Sequence, residues 1–153
     1  MKLIIIRGPS GSGKSTLASV VGGQRGLNWF EADMFFERDG KYQFDPRKLG
    51  QAHVWCQTKV IEALMNKEAD YDTVIVSNTS TTISEVETYI EIANRANVVC
   101  EIIRTPGPWN VDELLDQNKH NVPRVVLQRQ VVRYTSVATE REWNDLSIFN
   151  GVK

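Results

Sequence analysis

Residues 8–15 read Gly8-Pro9-Ser10-Gly11-Ser12-Gly13-Lys14-Ser15, the spacing G-x-x-x-x-G-K-[ST] of a phosphate-binding loop. The apolar run Leu3-Ile4-Ile5-Ile6 stands directly before it. Few folds accept that order, because a buried strand must feed a glycine turn that opens a helix. The glycines allow backbone N–H groups to turn inward around an anion. Gly8, Ser10, Gly11, Ser12, Gly13, Lys14, Ser15 and Thr16 are therefore expected to line a nucleoside triphosphate. Lys14 would reach the β- and γ-phosphates, and the Ser15 hydroxyl would hold Mg²⁺.

Downstream, apolar runs alternate with helical patterns, which predicts an α/β fold with a parallel sheet between helical layers. Leu17, Val20 and Val21 are assigned to one face of the first helix, ended by Gly22-Gly23. A second strand is expected over residues 27–33. A hairpin-like loop follows, with Asp39-Gly40 at its tip. Asp45-Pro46 starts a helix with Leu49, Ala52, Cys56, Val60 and Ala63 on its apolar stripe. A strand over 73–77 precedes the capping box Thr82-Ile83-Ser84-Glu85 and an apolar face of Ile83, Val86, Ile90 and Ala93. Further elements are a strand over 98–103, a helix starting at 110–113 and another from Pro123 to about Tyr134. The last fifteen or so residues show no clear pattern.

The chain has 153 residues, 41% of them hydrophobic and 24% charged, within the size and composition of one soluble domain. A net charge of −1 argues against coating of duplex nucleic acid, which relies on a basic excess. Gripping only the end of a strand needs few phosphate contacts and stays compatible. No apolar stretch is long enough to span a bilayer, and the opening strand and loop leave no signal peptide to expect. Cys56 and Cys100 read as reduced core thiols, and the expected location is cytoplasmic.

Several residues can carry chemistry. Asp33 is placed at the carboxyl end of the second strand, where ligands of parallel sheets sit. There it can act as general base on an attacking hydroxyl, or cap the segment at Met34. Glu31 shares that face by strand alternation and is its rival. The strand over 73–77 ends in Ser77-Asn78-Thr79 without an acid, leaving Mg²⁺ to Ser15, phosphates and water. Asn78 either orients a substrate hydroxyl or phosphate, or caps the next loop. Arg124, Arg129 and Arg133 follow one another along a late helix, as lid cations or as a solvated basic face. Lys119 and His120 precede that helix, within reach of phosphate. Arg7 is expected outside the pocket, and Trp55 and Trp109 in the core.

Read together, these segments resemble the P-loop 5′-polynucleotide kinases of phage type and related kinase-like P-loop domains. The resemblance runs from Arg7-Gly8 to about Tyr134. It rests on the phosphate loop, Glu31-Ala32-Asp33-Met34-Phe35-Phe36, Gly40-Lys41-Tyr42-Gln43-Phe44-Asp45-Pro46 with Ala52-His53-Val54-Trp55-Cys56, Ser77-Asn78-Thr79-Ser80, and Asn118, His120, Val122 and Pro123. It implies a single P-loop kinase domain over residues 1–153 with a helical lid at about 107–124. The implied activity moves the γ-phosphate of ATP, with Mg²⁺, to the 5′ end of single-stranded or nicked DNA or RNA, as in nucleic-acid repair. Asp33 matches the general base, and Lys14 and Ser15 match the ligands of ATP and Mg²⁺. Gln117 stands where the family often has arginine, leaving Arg124, Arg129 or Lys119 as the lid cation. Ala32 replaces the first acid of the family's acidic pair, and a 3′-phosphatase activity is not expected. The competing readings are a small-molecule kinase on the same fold and a nucleotide-dependent switch.

Overall fold

In strand β1 (Lys2–Arg7), Leu3 and Ile5 alternate with Ile4 and Ile6, and all four are buried. A strand apolar on both faces belongs in the middle of a covered sheet. A computed structural model, which describes residues 1–149, places it there. The other strands of this sheet are β2 (Trp29–Phe30), β5 (Thr73–Val76), β6 (Val99–Arg104) and β7 (Arg141–Glu142), in the all-parallel order β2-β5-β1-β6-β7. Between β2 and β5 lies a small antiparallel hairpin of β3 (Glu37–Arg38) and β4 (Lys41–Tyr42). Its tip residues Asp39 and Gly40 both have positive φ (53° and 74°), the requirement of a tight two-residue hairpin turn.

The pleat sorts the core into two layers. Leu3, Ile5, Val74, Val76 and Ile102 pack with α2 (Leu49–Met65) and α3 (Ile83–Arg95), while Ile4, Ile6, Trp29, Ile75 and Ile103 pack with α1 (Lys14–Val20). Two further helices, α4 (Val111–Gln117) and α5 (Arg124–Arg133), follow β6. This is the expected α/β arrangement of helices around a parallel sheet. No helix among the described residues is long and apolar enough to cross a membrane. The single-domain reading of residues 1–153 also includes 150–153, which lie outside the described residues.

Local departures from expectation have physical causes. The second strand shrinks to Trp29–Phe30 because buried Asn28 folds the preceding segment into a turn. Its side-chain Oδ1 accepts from the Gln24 N–H (2.7 Å), and its side-chain amide donates to the Gly22 and Thr73 carbonyls. Beyond Phe30 the chain enters a 3-10 turn, Ala32–Phe36, so Asp33 sits on that turn rather than on the strand. Val20 is exposed, and Ala18 takes its place beside Leu17, since the buried seam of α1 runs one residue round from the expected face. Leu49 and Ile83 open their helices and are also exposed. The unassigned C-terminal stretch supplies the edge strand β7 and a 3-10 turn at Leu146–Phe149.

Arg7, expected outside the pocket, is fully buried at the end of β1. It donates to the Ser80 and Thr135 carbonyls (2.8 Å each) and pairs with Glu140, while its guanidinium carbon lies 4.2 Å from the centre of the Tyr134 ring. Glu140 is itself 5% exposed and also accepts from the Tyr134 hydroxyl and the Val137 N–H. Removing one partner of such a pair strands the other charge away from water. Glu140→Ala should therefore lower stability by about 3–5 kcal/mol. Chemical denaturation would check this, and a loss under about 1 kcal/mol would show the pair to be far better solvated than its burial implies.

Candidate active site

β1 ends at Arg7 and α1 begins at Lys14, so the phosphate loop spans a strand-to-helix turn at the carboxyl edge of the sheet. Gly13 caps α1 in a left-handed conformation, φ 97°. Gly11 has φ 83°, and a Cβ there would stand 2.3 Å from the Leu114 carbonyl oxygen, so α4 rests directly on the loop. The loop is braced from two more sides. Ser12 Oγ accepts from the buried Thr105 hydroxyl (2.8 Å), and the Ser10 N–H donates to Gln130 Oε1 on α5 (2.8 Å). The N–H groups of Gly11 and Gly13 meet no protein acceptor among the described residues, and those of Lys14 and Ser15 open a helix with no carbonyl behind them. Such a row of free donors is suited to phosphate oxygens. The Lys14 ammonium donates to the Pro9 carbonyl (3.1 Å). Burial lowers its pKa from 10.5 to about 8, against the opposing pull of Glu31 and Asp33.

The two carboxylates after β2 have different surroundings. Glu31 is engaged on both oxygens, accepting from the Ser77 hydroxyl (3.1 Å) and pairing with Arg25 (3.2 Å). Asp33 accepts from the Tyr42 hydroxyl on Oδ1 (3.0 Å), while Oδ2 stands 4.0 Å from His120 Nε2. The rings of Tyr42 and His120 are 4.3 Å apart, so hairpin and α4–α5 loop meet over this carboxylate. Desolvation, then the negative charge of Asp33, pushes the Tyr42 phenol well above its ordinary pKa of 10, which keeps it a neutral donor. Asn78 Oδ1 accepts from the Ala32 N–H (2.7 Å), and its amide donates to the Tyr89 hydroxyl (3.3 Å). Asn78 thus anchors the turn that carries Asp33.

Residues 3–137 match the AAA domain family, AAA_33. The chain belongs to that family. It is 30% identical over 136 residues to human NEDD4-binding protein 2, covering 86% of this chain and 8% of that protein's length. Among solved structures, the Pnkp1/Rnl/Hen1 RNA repair complex superposes with a TM-score of 0.62 at 20% identity, over 86% of this chain and 43% of that one. A gluconokinase from Sinorhizobium meliloti 1021 superposes with a TM-score of 0.57 at 17% identity, over 99% and 86%. The fold is that of the P-loop kinases.

Within this AAA domain, the sequence-assigned cations lie at different places. Arg124 opens α5 and pairs with Asp112 of α4 (2.6 Å) in a solvent-exposed contact. Arg129 is exposed, one residue before the loop-touching Gln130. Arg133 donates to the Thr81 hydroxyl (2.9 Å), and Lys119 is exposed. Trp55 is half-buried beside Phe35, and Trp109 packs on Tyr134 under Arg104. Cys56 is buried, Cys100 is half-buried, and both are free. Sequence reasoning did not assign Gln130, Thr105 or Tyr42 to the site. Gln130 had a visible signal, a polar residue one turn after Leu127 on the buried side of α5, whereas Thr105 and Tyr42 had none outside their elements.

The depressed pKa of Lys14 gives a pH dependence with a definite sign. Below about 8 the side chain carries its proton and can pair with phosphate; above it the charge is lost. ATP affinity should therefore weaken several-fold between pH 7 and pH 9. In Lys14→Arg, whose charge persists throughout, the dependence should be flat. Calorimetric titration across that range would test it, and a flat wild-type profile would refute it.

Proposed function

We propose that the protein is an ATP-dependent 5′-hydroxyl polynucleotide kinase, transferring the γ-phosphate of ATP to the 5′ end of DNA or RNA. The observation that carries this reading is the Asp33 carboxylate. One oxygen is held by the Tyr42 phenol, the other faces His120 across 4.0 Å, and its negative charge works against the burial that lowers the Lys14 pKa. A base beside the γ-phosphate site is what an attacking hydroxyl needs. The order of motifs shared with polynucleotide kinases supports a polynucleotide end as acceptor. The fold shared with the RNA repair complex is compatible with it.

In this reading the loop N–H groups and Lys14 hold the triphosphate, and Asp33 takes the proton of the 5′-hydroxyl as its oxygen attacks. Asn78 acts by fixing the Asp33 turn, and Lys119 meets the acceptor phosphates. Of the three candidate lid cations, Arg124 is held by Asp112, whereas Arg129 and Lys119 form no ion pair among the described residues, and Arg129 is preferred because it lies on the helix whose Gln130 touches Ser10. For Mg²⁺, no group of three or more His, Cys, Asp or Glu side chains among the described residues forms a metal cage. The Ser15 hydroxyl, opening α1 inside the loop, fits a site completed by phosphates and water. When bound, the ion supplies charge neutralisation on the β- and γ-oxygens. One kinase unit over residues 1–153, acting in the cytoplasm, belongs to the same proposal.

A small-molecule kinase is the second reading, favoured by the net charge of −1. Labelled ATP offered with a 5′-hydroxyl oligonucleotide, with nucleosides and sugars, or with no acceptor separates the two. Label appearing only on a nucleoside or sugar would overturn the polynucleotide assignment. With the true acceptor, Asp33→Asn should cut single-turnover rate by roughly 10²-fold or more with ATP affinity nearly unchanged. A rate within a few-fold of wild type would move the base to Glu31. Arg129→Ala should slow turnover by about tenfold or more and Arg124→Ala by less, as steady-state kinetics would show; the reverse order would assign the lid cation to Arg124.

A further inference from the structure

A cavity of about 460 Å³ opens between the β3–β4 hairpin and the start of α2, and the proposed phosphoryl transfer makes no use of it. Its walls include Phe35, Phe44, Arg38, Asp45, Arg47 and Lys48. Phe44 is 49% exposed, which leaves part of its ring accessible at the cavity. Its ring is backed edge-on by Phe36, with centroids 5.1 Å apart. It also runs nearly parallel to Tyr42, with an 8° tilt and centroids 6.3 Å apart. Tyr42 and Phe44 therefore form one aromatic wall, which begins at the Asp33 carboxylate and ends at the cavity.

The rim of the cavity is basic, although the chain as a whole is not. Three cations stand against one carboxylate in its lining. Asp45 pairs with Arg47 (3.1 Å) and caps the turn that opens α2. Arg38 and Lys48 form no ion pair among the described residues, and the Arg38 guanidinium carbon lies 6.0 Å from the Phe35 ring centre. An exposed flat ring lining the same cavity as two cations free of ion pairs among the described residues matches a base with its flanking phosphates, because every base presents a π-face and every linkage a charge. An acidic peptide would match the cations and leave the ring unused. A small acceptor would be complete at Asp33.

We propose that this cavity is a strand-tracking subsite for a single-stranded polynucleotide. It takes the nucleotides that follow the accepted 5′ end, with a base against Phe44 and phosphates on Arg38 and Lys48. This rests on the polynucleotide reading of the acceptor. It also reconciles that reading with a net charge of −1, since the needed positive potential is local.

The test compares the full chain with the double variant Arg38→Ala/Lys48→Ala and with Phe44→Leu, which keeps apolar bulk and removes the ring. Fluorescence anisotropy measures binding of a 5′-hydroxyl single-stranded octamer. Kinase assays give the ratio of KM for the octamer to KM for a nucleoside 3′-monophosphate. The double variant should weaken octamer binding about tenfold or more. It should also flatten the log–log salt slope by about 1.4, two phosphates at roughly 0.7 each. The KM ratio should rise in both variants, and replacing the second and third nucleotides with abasic sites should abolish the effect of Phe44→Leu. Octamer affinity equal in wild type and variants overturns the subsite, and so does an equal change for both acceptors. Competition by a polyglutamate peptide as strong as that by the octamer overturns nucleic acid as the occupant. Octamer binding that depends on Arg38 and Lys48 without phosphorylation refutes the kinase reading and retains the subsite. Octamer phosphorylation insensitive to all three substitutions does the opposite.

Discussion

The buried charge of Arg7 is the constraint around which the phosphate-loop edge of the sheet is assembled. A guanidinium without solvent is tolerable only when its donors are met, and here the partners come from widely separated parts of the chain. Ser80 follows β5, Thr135 and Glu140 follow α5, and Tyr134 stacks on the cation. Ser80 accepts this bond from a left-handed conformation, φ 47°, which a non-glycine residue adopts only when its surroundings hold it there. The next residue after Arg7 is Gly8, so the root of the phosphate loop is fixed by the same contacts. The exit of α5 and the entrance of the loop are thereby tied to one point, and Gln130, one turn before that exit, can reach the Ser10 N–H.

Chemical roles at the site follow from which lone pairs the protein itself occupies. Glu31 and Asp33 are two residues apart and share the field of Lys14. Glu31 is closed by Ser77 and Arg25, and Ser77 in turn receives the Trp29 indole N–H (2.8 Å). That chain of bonds roots Glu31 in the sheet with both of its oxygens engaged. Among the described residues the Asp33 carboxylate accepts a hydrogen bond from the Tyr42 hydroxyl alone, and its second oxygen faces His120 across a gap. The difference arises in the backbone. By accepting from the Ala32 N–H, Asn78 stops β2 and turns the chain, which swings Asp33 away from the strand and toward the hairpin.

Much of the fold was legible because it depends on periodicity and on local chemistry. The strand-loop-helix around residues 8–15, the hairpin tip at Asp39-Gly40, the Asp45 cap and the Thr82–Glu85 box all appear where the residue types require them. What escaped depends on contacts distant in sequence. The Arg7–Glu140 pair spans most of the chain, and β7 is two residues long with no apolar alternation of its own. The end of the second strand was misplaced for the same reason, since the side chain that ends it lies on β5's exit. Arg124 and Arg129 could be assigned to a helix from sequence, but the direction in which each points depends on α4, which supplies Asp112.

The segment from α4 to α5 illustrates how local bonding can join two halves of a site. Asn118 donates to the Val122 carbonyl (2.7 Å) and accepts from the His120 N–H (3.2 Å), and Asn121 takes a left-handed turn between them. These bonds preform the α4–α5 loop and fix where His120 stands. The loop lies between α4, whose Leu114 carbonyl packs against Gly11, and α5, whose Gln130 holds Ser10. One continuous segment therefore touches the phosphate loop at both ends and the candidate base in its middle. The surroundings of Asp33 are positioned by the same helices that brace the phosphate loop. In such an arrangement, the distance between the phosphate loop and Asp33 is set by helix packing and not by the loop's own flexibility.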